Sequence, residues 1–410
     1  PPEIAKKQKT YSISQIDWEK RTNKPGNRLI KELNSHELSE ISEDVIDFIS
    51  LAPDPELLST REYRKCLSQV INEKGARLVQ YGDPMGYSPL REYLSQRMRR
   101  HGIYANVDEI VITNGIQNGL DLIMKLFKRD GLQILVEEPS YSAVLPLFGY
   151  YDADILSIPM NRTGIDLDVL QKILEKNNPA FLYTIPNFHN PYGVTTSQEH
   201  RERLLSIAEH YNLLVLEDGF EEEMKYFGKA VMPVKSMDKN QRVLYFGTFS
   251  KVLFPGLRIG WIVGDRELVS KLGKLKKAFA ISGNDLDQAA LDLYCRNGYF
   301  DHHLKRIHRE YRKRMQVAMK CARKWINESL ATYTKPLGGY TFWVELSNDQ
   351  ITESKLMSTL RSYNVAVCPG SMFHRGSPKR ASFRISIAQC NETQIETGIK
   401  NIADALKKLN

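Results

Sequence analysis

Short apolar segments alternate with amphipathic segments through the middle of the chain. Apolar runs lie at 109–113, 132–137, 154–158, 180–185, 213–217, 243–247 and 259–263, and stretches with helical spacing of apolar residues lie at 116–128, 166–176 and 198–211. This alternation predicts an α/β fold, with a mostly parallel sheet covered by helices on both faces. Binding residues are then expected in the loops that follow the carboxyl ends of the strands.

The pattern changes towards both ends of the chain. Residues 1–26 are polar and basic, which favours an N-terminal arm or linker. From about residue 265 helical spacing dominates, with a long connecting helix expected near 285–315, and a smaller α+β region follows it. The predicted domains are the arm, an N-terminal part of a small domain at 27–59, a large domain at 60–290 and a small C-terminal domain at 291–410.

The composition of the 410 residues is that of a globular protein, 42% hydrophobic and 26% charged, with room for two domains. No apolar run reaches the roughly 18 residues of a membrane helix, and the start PPEIAKKQKT does not resemble a signal peptide. The 5 cysteines are scattered and lack a CxxC spacing, which favours reduced thiols in a cytoplasmic protein and argues against a zinc site. The net charge of +8 is spread along the chain and identifies no partner.

The most informative stretch is VLYFGTFSKVLFPGLRIGWIV, residues 243–263. Lys251 follows an apolar strand and a turn that contains Thr248 and Ser250, and Arg258 comes seven residues later. An amine, two hydroxyls and a guanidinium around one anionic group suit pyridoxal phosphate (PLP), because lysine forms a Schiff base with this cofactor while Ser, Thr and Arg hold its phosphate. The alternative is an ordinary strand and turn with two solvated cations.

Other candidate residues follow further predicted strands. Gly115 in TNGIQ opens a helix whose free backbone amides can bind an anion, although Asn114 explains this sequence equally well as a helix N-cap. Tyr141 in EPSY is suited either to stacking on a flat cofactor or to filling the core. Asn190 in NFHNPYG is suited either to donating a hydrogen bond to a phenolate oxygen or to forming an Asn-Pro turn.

Two charged residues complete the set of candidates. Asp218 in LEDGF lies at a strand end, where its carboxylate can keep a pyridine nitrogen protonated or can cap a helix. Arg384 in SFRIS is a cation inside an apolar strand. An arginine there suits a substrate carboxylate or a structural salt bridge.

Together and in this order, these stretches resemble the class I aminotransferases of PLP fold type I, over roughly residues 28–408. The most specific features are NPYG and the SK pair followed by an arginine seven residues later. Within the family the chain looks most similar to the kynurenine/aminoadipate aminotransferases and to the PLP domain of MocR-type (GntR family) transcription regulators. The resemblance implies a seven-stranded, mostly parallel sheet with a smaller α+β domain, and transfer of an amino group between an amino acid and a 2-oxo acid.

The resemblance also implies a role for each candidate. Lys251 corresponds to the Schiff-base lysine and the catalytic base, Asp218 to the partner of the pyridine nitrogen, and Arg384, with Asn190, to the substrate-binding residues. The other cofactor-binding residues that it implies are Gly115, Ile116, Gln117, Tyr141, Thr248, Ser250 and Arg258, with Asn190 also on the phenolate oxygen. Tyr81 in QYGDPMG corresponds to a tyrosine that reaches the phosphate of a second subunit, which implies a homodimer with shared active sites.

Two positions depart from the family pattern. Relatives have a tyrosine two or three residues after the aspartate, and its hydroxyl contacts the phenolate oxygen, whereas this chain has Phe220 and Glu221 there. The resemblance therefore predicts a phenolate held by Asn190 alone and a Schiff base of higher pKa. Ile116 stands where many relatives have a small hydroxyl residue, and its backbone amide can still bind phosphate.

The sequence leaves two classes of function open. One is a free-standing aminotransferase. The other is the ligand-sensing domain of a MocR-type regulator with a winged helix-turn-helix upstream of Pro1, because the basic arm with Ile16, Asp17 and Trp18 resembles the place where linker meets PLP domain. DNA would be a partner only in that second case. A PLP-dependent lyase or decarboxylase is a third reading, and the amino-acid substrate is not specified.

Overall fold

The computed structural model describes residues 16–35, 42 and 44–409. The strands among these residues are β1 (Ile46–Asp47), β2 (Ile110–Thr113), β3 (Gln133–Glu138), β4 (Asp154–Asn161), β5 (Gly164–Ile165), β6 (Phe181–Thr184), β7 (Leu214–Asp218), β8 (Val243–Thr248), β9 (Gly260–Val263), β10 (Ala331–Tyr333), β11 (Thr341–Leu346), β12 (Val365–Ala366), β13 (Cys368–Pro369) and β14 (Ser382–Ser386). The α-helices among them are α1 (Trp18–Arg21), α2 (Lys24–Ser35), α3 (Arg61–Leu78), α4 (Ser88–Met98), α5 (Ile116–Phe127), α6 (Val144–Tyr150), α7 (Leu167–Leu174), α8 (Gln198–His210), α9 (Arg266–Ala280), α10 (Asp285–Arg296), α11 (Tyr299–Trp325), α12 (Glu353–Ser362) and α13 (Glu392–Leu409).

The main sheet confirms the predicted α/β architecture. Its eight strands have the order β2-β9-β8-β7-β6-β3-β4-β5. The strands β8, β7, β6, β3 and β4 are parallel to one another, while β9 is antiparallel to both β2 and β8. The seven predicted strands are all present, and the eighth is the two-residue β5, which turns back against the end of β4.

The core lies on both faces of this sheet. In β7, Val215 faces one apolar layer with Leu170 and Leu204, and the next residue, Leu216, faces a second layer with Phe148. Every residue of β8 is buried. Strands covered on both faces are expected to be continuous apolar runs, which explains why these segments could be recognised in the sequence.

A second, smaller sheet is antiparallel and has the order β10-β11-β14-β13. β1 pairs with β12 in a separate parallel ribbon. The helix α13 packs against α11 and also contacts β12. This part of the chain confirms the expected smaller α+β region.

The predicted long helix at 285–315 is wrong, because two helices occupy this range. Helix α10 ends at Arg296, and Gly298 adopts a left-handed conformation with φ 77° before α11 begins at Tyr299. Glycine adopts that conformation without the steric cost of a side chain. Since α10 packs on α3 and α11 packs on α13, we propose that the large and small domains meet at this break, close to the predicted residue 290.

Two helices begin within the range predicted to be an N-terminal arm. Asp17 caps α1 by accepting a hydrogen bond from the backbone N–H of Lys20. In α2, Arg28 donates to Asp152 at 2.6 Å and to the carbonyl of Gly149, which fixes α2 against α6. Residues 1–15 lie outside the described part of the chain.

Two expectations from composition can be compared with the structure. All five cysteines are buried, and none of them is paired with another. Among the described residues, no helix has both the length and the apolar character needed to cross a membrane.

Candidate active site

The ends of three strands bring the candidate residues together. β7 ends at Asp218, β8 ends at Thr248 and β2 ends at Thr113. Thr113 and Thr248 both pair with Gly260, the first residue of the antiparallel β9. The loops that follow β2 and β7, and the loop that connects β8 to β9, therefore meet at one edge of the sheet.

These loops line a pocket of about 560 Å³. The predicted residues that line it are Ile116, Gln117, Tyr141, Asn190, Asp218, Thr248, Ser250, Lys251 and Arg258, joined by Leu51, Ile185 and Phe220. Gly115 and Arg384 lie beside it, because Gly115 abuts Arg258 and Arg384 donates to Asn190. Tyr81 is the exception, since its side chain is on the surface and 81% exposed.

One end of the pocket brings Arg258 together with the hydroxyl groups of Ser250 and Thr248. Arg258 donates hydrogen bonds to the hydroxyl of Ser250 at 3.3 Å and to the carbonyl of Asn114 at 3.4 Å. The hydroxyl of Thr248 accepts from the backbone N–H of Ser250 at 3.1 Å. Gly115 has φ 81°, and a Cβ at this position would lie 2.5 Å from the Arg258 guanidinium. Only glycine therefore permits this close approach of the cation to the amino end of α5.

Lys251 lies at the centre of the pocket wall. Burial lowers the pKa of its amine, the carboxylate of Glu221 opposes this shift, and the guanidinium of Arg384 adds to it. A lowered pKa leaves a larger share of the amine unprotonated at neutral pH. An unprotonated lysine is a nucleophile and a base.

The carboxylate of Asp218 is held from two sides. Its Oδ2 accepts a hydrogen bond from the hydroxyl of Tyr183 at 2.6 Å, and its Oδ1 accepts from the backbone N–H of Phe220 at 3.0 Å. Burial raises the pKa of Asp218 to about 7, and both hydrogen bonds limit this rise. Burial also raises the pKa of Tyr141, with the charge of Asp218 as the second cause, which shows that this ring lies near the carboxylate.

Arg384 has a donor that no described residue uses. Its Nη1 donates to Oδ1 of Asn190 at 3.0 Å, and its Nη2 donates to the carbonyl of Ile49 at 2.5 Å. Among the described residues, its buried Nε has no hydrogen-bond partner. The guanidinium lies 5.2 Å from the centre of the Phe373 ring. A buried arginine with a free donor beside the pocket is suited to binding a carboxylate.

Phe220 and Glu221, which stand where relatives have a tyrosine, have different environments. Phe220 lines the pocket, and Glu221 is buried with Oε2 accepting from the backbone N–H of Tyr340 at 3.2 Å. The sequence had suggested Phe220 and Glu221 as alternatives at one position. In the structure Glu221 is the residue whose charge acts on Lys251.

Sequence reasoning missed Tyr183 and Tyr340. Tyr183 belongs to the apolar run FLYT, where an aromatic residue indicates only core packing. Its contact with Asp218 depends on β6 lying beside β7, which is a property of the topology. Tyr340 follows a Gly-Gly pair that could have indicated a close backbone approach.

Comparison with known proteins gives consistent results. The aminotransferase class I and II family matches residues 54–402. The chain is 33% identical over 371 residues to the 2-aminoadipate transaminase of Thermus thermophilus, covering 89% of this chain and 91% of that protein. It is 28% identical over 385 residues to an uncharacterized HTH-type transcriptional regulator of Bacillus subtilis, covering 94% of this chain and 78% of that protein.

A solved structure is also similar over nearly the whole chain. The kynurenine aminotransferase of Pyrococcus horikoshii superposes with a TM-score of 0.88 at 31% sequence identity, covering 96% of this chain and 98% of that one. The resemblance to kynurenine and aminoadipate aminotransferases and to MocR-type regulators is therefore confirmed. Since the family match extends over most of its length, this chain belongs to the class I and II aminotransferases.

Proposed function

We propose that this chain is a PLP-dependent aminotransferase, which moves an amino group between an amino acid and a 2-oxo acid. The observation that carries the proposal is the arrangement around Lys251. A half-buried lysine of lowered pKa lies in one pocket with an anion cradle at Arg258, a buried carboxylate at Asp218 and an arginine with a free donor at Arg384.

The anion cradle fits the phosphate of the cofactor. The backbone amides of Ile116 and Gln117 at the start of α5, the hydroxyls of Thr248 and Ser250, and the guanidinium of Arg258 would hold it. Gly115 supports this assignment, because a side chain there would collide with Arg258. The cradle thus has both the donors and the open backbone that a phosphate requires.

The remaining pocket residues fit the cofactor ring. Asp218 would pair with the ring nitrogen, Tyr141 would stack on the ring, and Asn190 would donate to the phenolic oxygen. The proximity of Tyr141 to Asp218 supports these roles, as does the position of Asn190 in the pocket wall. When bound, the cofactor supplies an aldehyde that bonds to the lysine and a ring that takes up electrons from the Cα–H bond.

Lys251 would carry the proton chemistry. Its Nζ would take the proton from Cα of the amino acid and pass it to the cofactor carbon. The lowered pKa of Lys251 favours the free amine that this requires. Arg384 would bind the α-carboxylate through the free Nε, and its contact with Asn190 fixes its position. The fixed carboxylate orients Cα relative to Lys251.

The site is proposed to be completed by a second copy of the chain. Tyr81 and Val79 are 81% and 70% exposed, and they lie on the segment that follows α3. We expect this segment to contact a partner subunit, with the Tyr81 hydroxyl on the partner's phosphate site. A homodimer in the cytoplasm is the assembly and location that we propose.

The test is a panel assay on purified, PLP-loaded protein with 2-oxoglutarate as acceptor. The donors named in its relatives, 2-aminoadipate and kynurenine, head the panel, followed by the common amino acids. We expect a yellow protein, repeated turnover with at least one donor, and a cofactor that borohydride fixes to Lys251. The Lys251→Ala variant should lose both turnover and the fixed cofactor. A variant that still forms a reducible lysine adduct would overturn the assignment of Lys251.

The regulator reading has its own supporting observation. The alignment with the HTH-type regulator covers 94% of this chain and leaves part of that longer protein unmatched. A sensor domain would bind an amino acid at the same site, but it would not need repeated turnover. Catalytic cycles well in excess of the enzyme concentration favour the aminotransferase. Amino-acid binding without release of 2-oxo acid, together with an encoded winged helix-turn-helix before Pro1, would favour the regulator.

A further inference from the structure

Glu221 has a buried carboxyl oxygen that the structure leaves without a partner. The residue is 1% exposed, and its Oε2 accepts the backbone N–H of Tyr340 at 3.2 Å. Its Oε1 is buried and makes no hydrogen bond to any described residue. A buried polar atom of this kind destabilises the folded chain, so its retention points to a role in the pocket.

The loop before β11 packs closely against Glu221. Gly339 has φ 72°, and a Cβ there would lie 2.3 Å from Oε2 of Glu221. A Cβ at Gly338 would lie 2.2 Å from the carbonyl oxygen of Met224. The Gly-Gly pair therefore lets this loop pack closely against the turn after β7.

Tyr340 contacts both the side chain of Glu221 and the backbone of Lys251. Its backbone N–H holds Glu221, and its hydroxyl donates to the carbonyl oxygen of Lys251. Both contacts come from a residue that is fully buried. The carboxyl of Glu221 and the lysine are thus attached to one rigid element.

The charged and titratable groups that face Glu221 are Lys251, Arg384, Asp218, Tyr226 and Tyr340. Lys251 is the strongest charged neighbour of Glu221, and Glu221 is the strongest charged neighbour of Lys251. Burial raises the pKa of Glu221 to about 8 and lowers the pKa of Lys251. Each shift disfavours the charged form of its own group, and the charge of the other group opposes it.

We propose that Glu221 is a positioning residue for Lys251, whose buried carboxylate controls the charge state of the half-buried lysine nitrogen. This inference rests on the proposed function, in which Lys251 carries the cofactor. While the cofactor is bonded to Lys251, the Glu221 carboxylate stabilises the protonated form of the lysine nitrogen.

The test is a pH titration of the cofactor's absorption in PLP-loaded wild type and in Glu221→Gln. Glutamine keeps an oxygen that can accept the N–H of Tyr340, so a purely structural role is preserved while the charge is lost. We expect the midpoint to move to lower pH by about one unit or more, the scale for removing a neighbouring opposite charge. Glu221→Asp, which restores a carboxyl, should recover part of this shift.

Glu222→Gln is the matched control. Glu222 is in the same turn and accepts from Asn187 at 2.8 Å, and its largest charged neighbours are His101 and Arg201. Its replacement should leave the midpoint at the wild-type value. If Glu221→Gln does not retain the cofactor, Glu221→Asp carries the test, with a smaller shift in the same direction.

Two outcomes separate the inference from the proposed function. A midpoint that is unchanged or higher in the Glu221 variants, in proteins that carry the cofactor, overturns the role of Glu221 and leaves the aminotransferase proposal intact. A wild-type protein that forms no lysine-bound chromophore at any pH overturns the proposed function itself.

Discussion

The hydroxyl of Tyr183 donates a hydrogen bond to Oδ2 of Asp218 across 2.6 Å, between two neighbouring parallel strands. Tyr183 is 0% exposed and Asp218 is 3% exposed, so water does not compete for this contact. Burial raises the pKa of Asp218 to about 7, and the Tyr183 hydroxyl keeps it from rising further. The tyrosine therefore helps to keep the carboxylate ionised, as its proposed partner, a protonated ring nitrogen, requires.

The first prediction concerns Tyr183→Phe. Without the hydroxyl, the pKa of Asp218 rises, and PLP affinity should fall by about tenfold or more, since a hydrogen bond to a charged group is worth about 1.5–3 kcal/mol. The loss of PLP affinity should be larger at pH 6 than at pH 8, because the carboxyl of Asp218 is protonated more fully at the lower pH. Equilibrium binding of PLP across this range measures it. Tyr245→Phe, on the neighbouring β8, controls for loss of a buried hydroxyl. Equal, pH-independent losses in both variants would contradict the role of Tyr183.

Arg384→Ala should weaken amino-acid binding while PLP remains bound. We expect a loss of about 2–5 kcal/mol in binding free energy, the scale for removing one partner of a buried charge pair. Titration of the loaded protein with a substrate or a non-reacting analogue measures this. Arg380→Ala is the control, because Arg380 is an exposed cation that faces Glu345. Loss of PLP with unchanged amino-acid affinity would instead assign Arg384 to the cofactor or the core.

Shared active sites predict complementation between two defective variants. If Tyr81 reaches the partner's site, Tyr81→Ala should need more PLP for activity, and Lys251→Ala should be inactive. A mixed dimer of these two variants contains one site in which both Lys251 and the partner's Tyr81 are native. After random exchange in an equal mixture, about a quarter of wild-type activity should return at limiting PLP. Tyr104→Ala removes another exposed tyrosine, and the Tyr104 variant alone should need no extra PLP. A mixture no more active than its components would place each site within one chain.

Acid should destabilise the protein in part through Glu223. Burial opposes its ionisation, but a hydrogen bond from His101 and the charge of Arg97, at 2.7 Å, outweigh burial and lower the pKa of Glu223 to about 2. A lowered folded pKa contributes stability above the ordinary value of about 4.3, and this contribution is lost as the pH falls towards 2. It amounts to about 2–3 kcal/mol in the free energy of unfolding.

Urea unfolding of wild type and Glu223→Gln between pH 7 and pH 2.5 measures this contribution. The variant should be less stable at neutral pH, and the difference should narrow as the pH falls. Glu202→Gln, at an exposed glutamate of α8, should follow the wild type throughout. A difference that stays constant with pH would show that Glu223 acts through packing alone.

The sheet and most of the pocket could be predicted because their signals are local. Apolar runs such as that of β8 indicated strands buried on both faces. Asp218 was recognisable because it is the last residue of a strand, and Lys251 because it closely follows one. Parallel strands bring such ends to one edge, so a linear pattern was sufficient. The break at Gly298 was missed because a single glycine within a helical pattern is compatible with an unbroken helix.

The side-chain network behind the pocket could not be predicted. Tyr183 reaches Asp218 because their strands are neighbours, and no spacing in the sequence specifies that neighbour relation. The contact between Glu221 and Tyr340 joins the turn after β7 to the loop before β11, and it depends on the close approach at Gly339. Contacts of this kind arise from tertiary packing rather than from periodicity.

The central claim is tested most directly by the first half of the reaction, without a second substrate. PLP-loaded protein is mixed with a saturating amino acid found in the panel assay, and absorption and released 2-oxo acid are followed together. The account predicts loss of the yellow form, gain of pyridoxamine phosphate absorption, and one 2-oxo acid released per loaded site, with none of these in Lys251→Ala. An amino acid that binds the wild-type protein but leaves the cofactor in its aldehyde form, with no 2-oxo acid released, would contradict it.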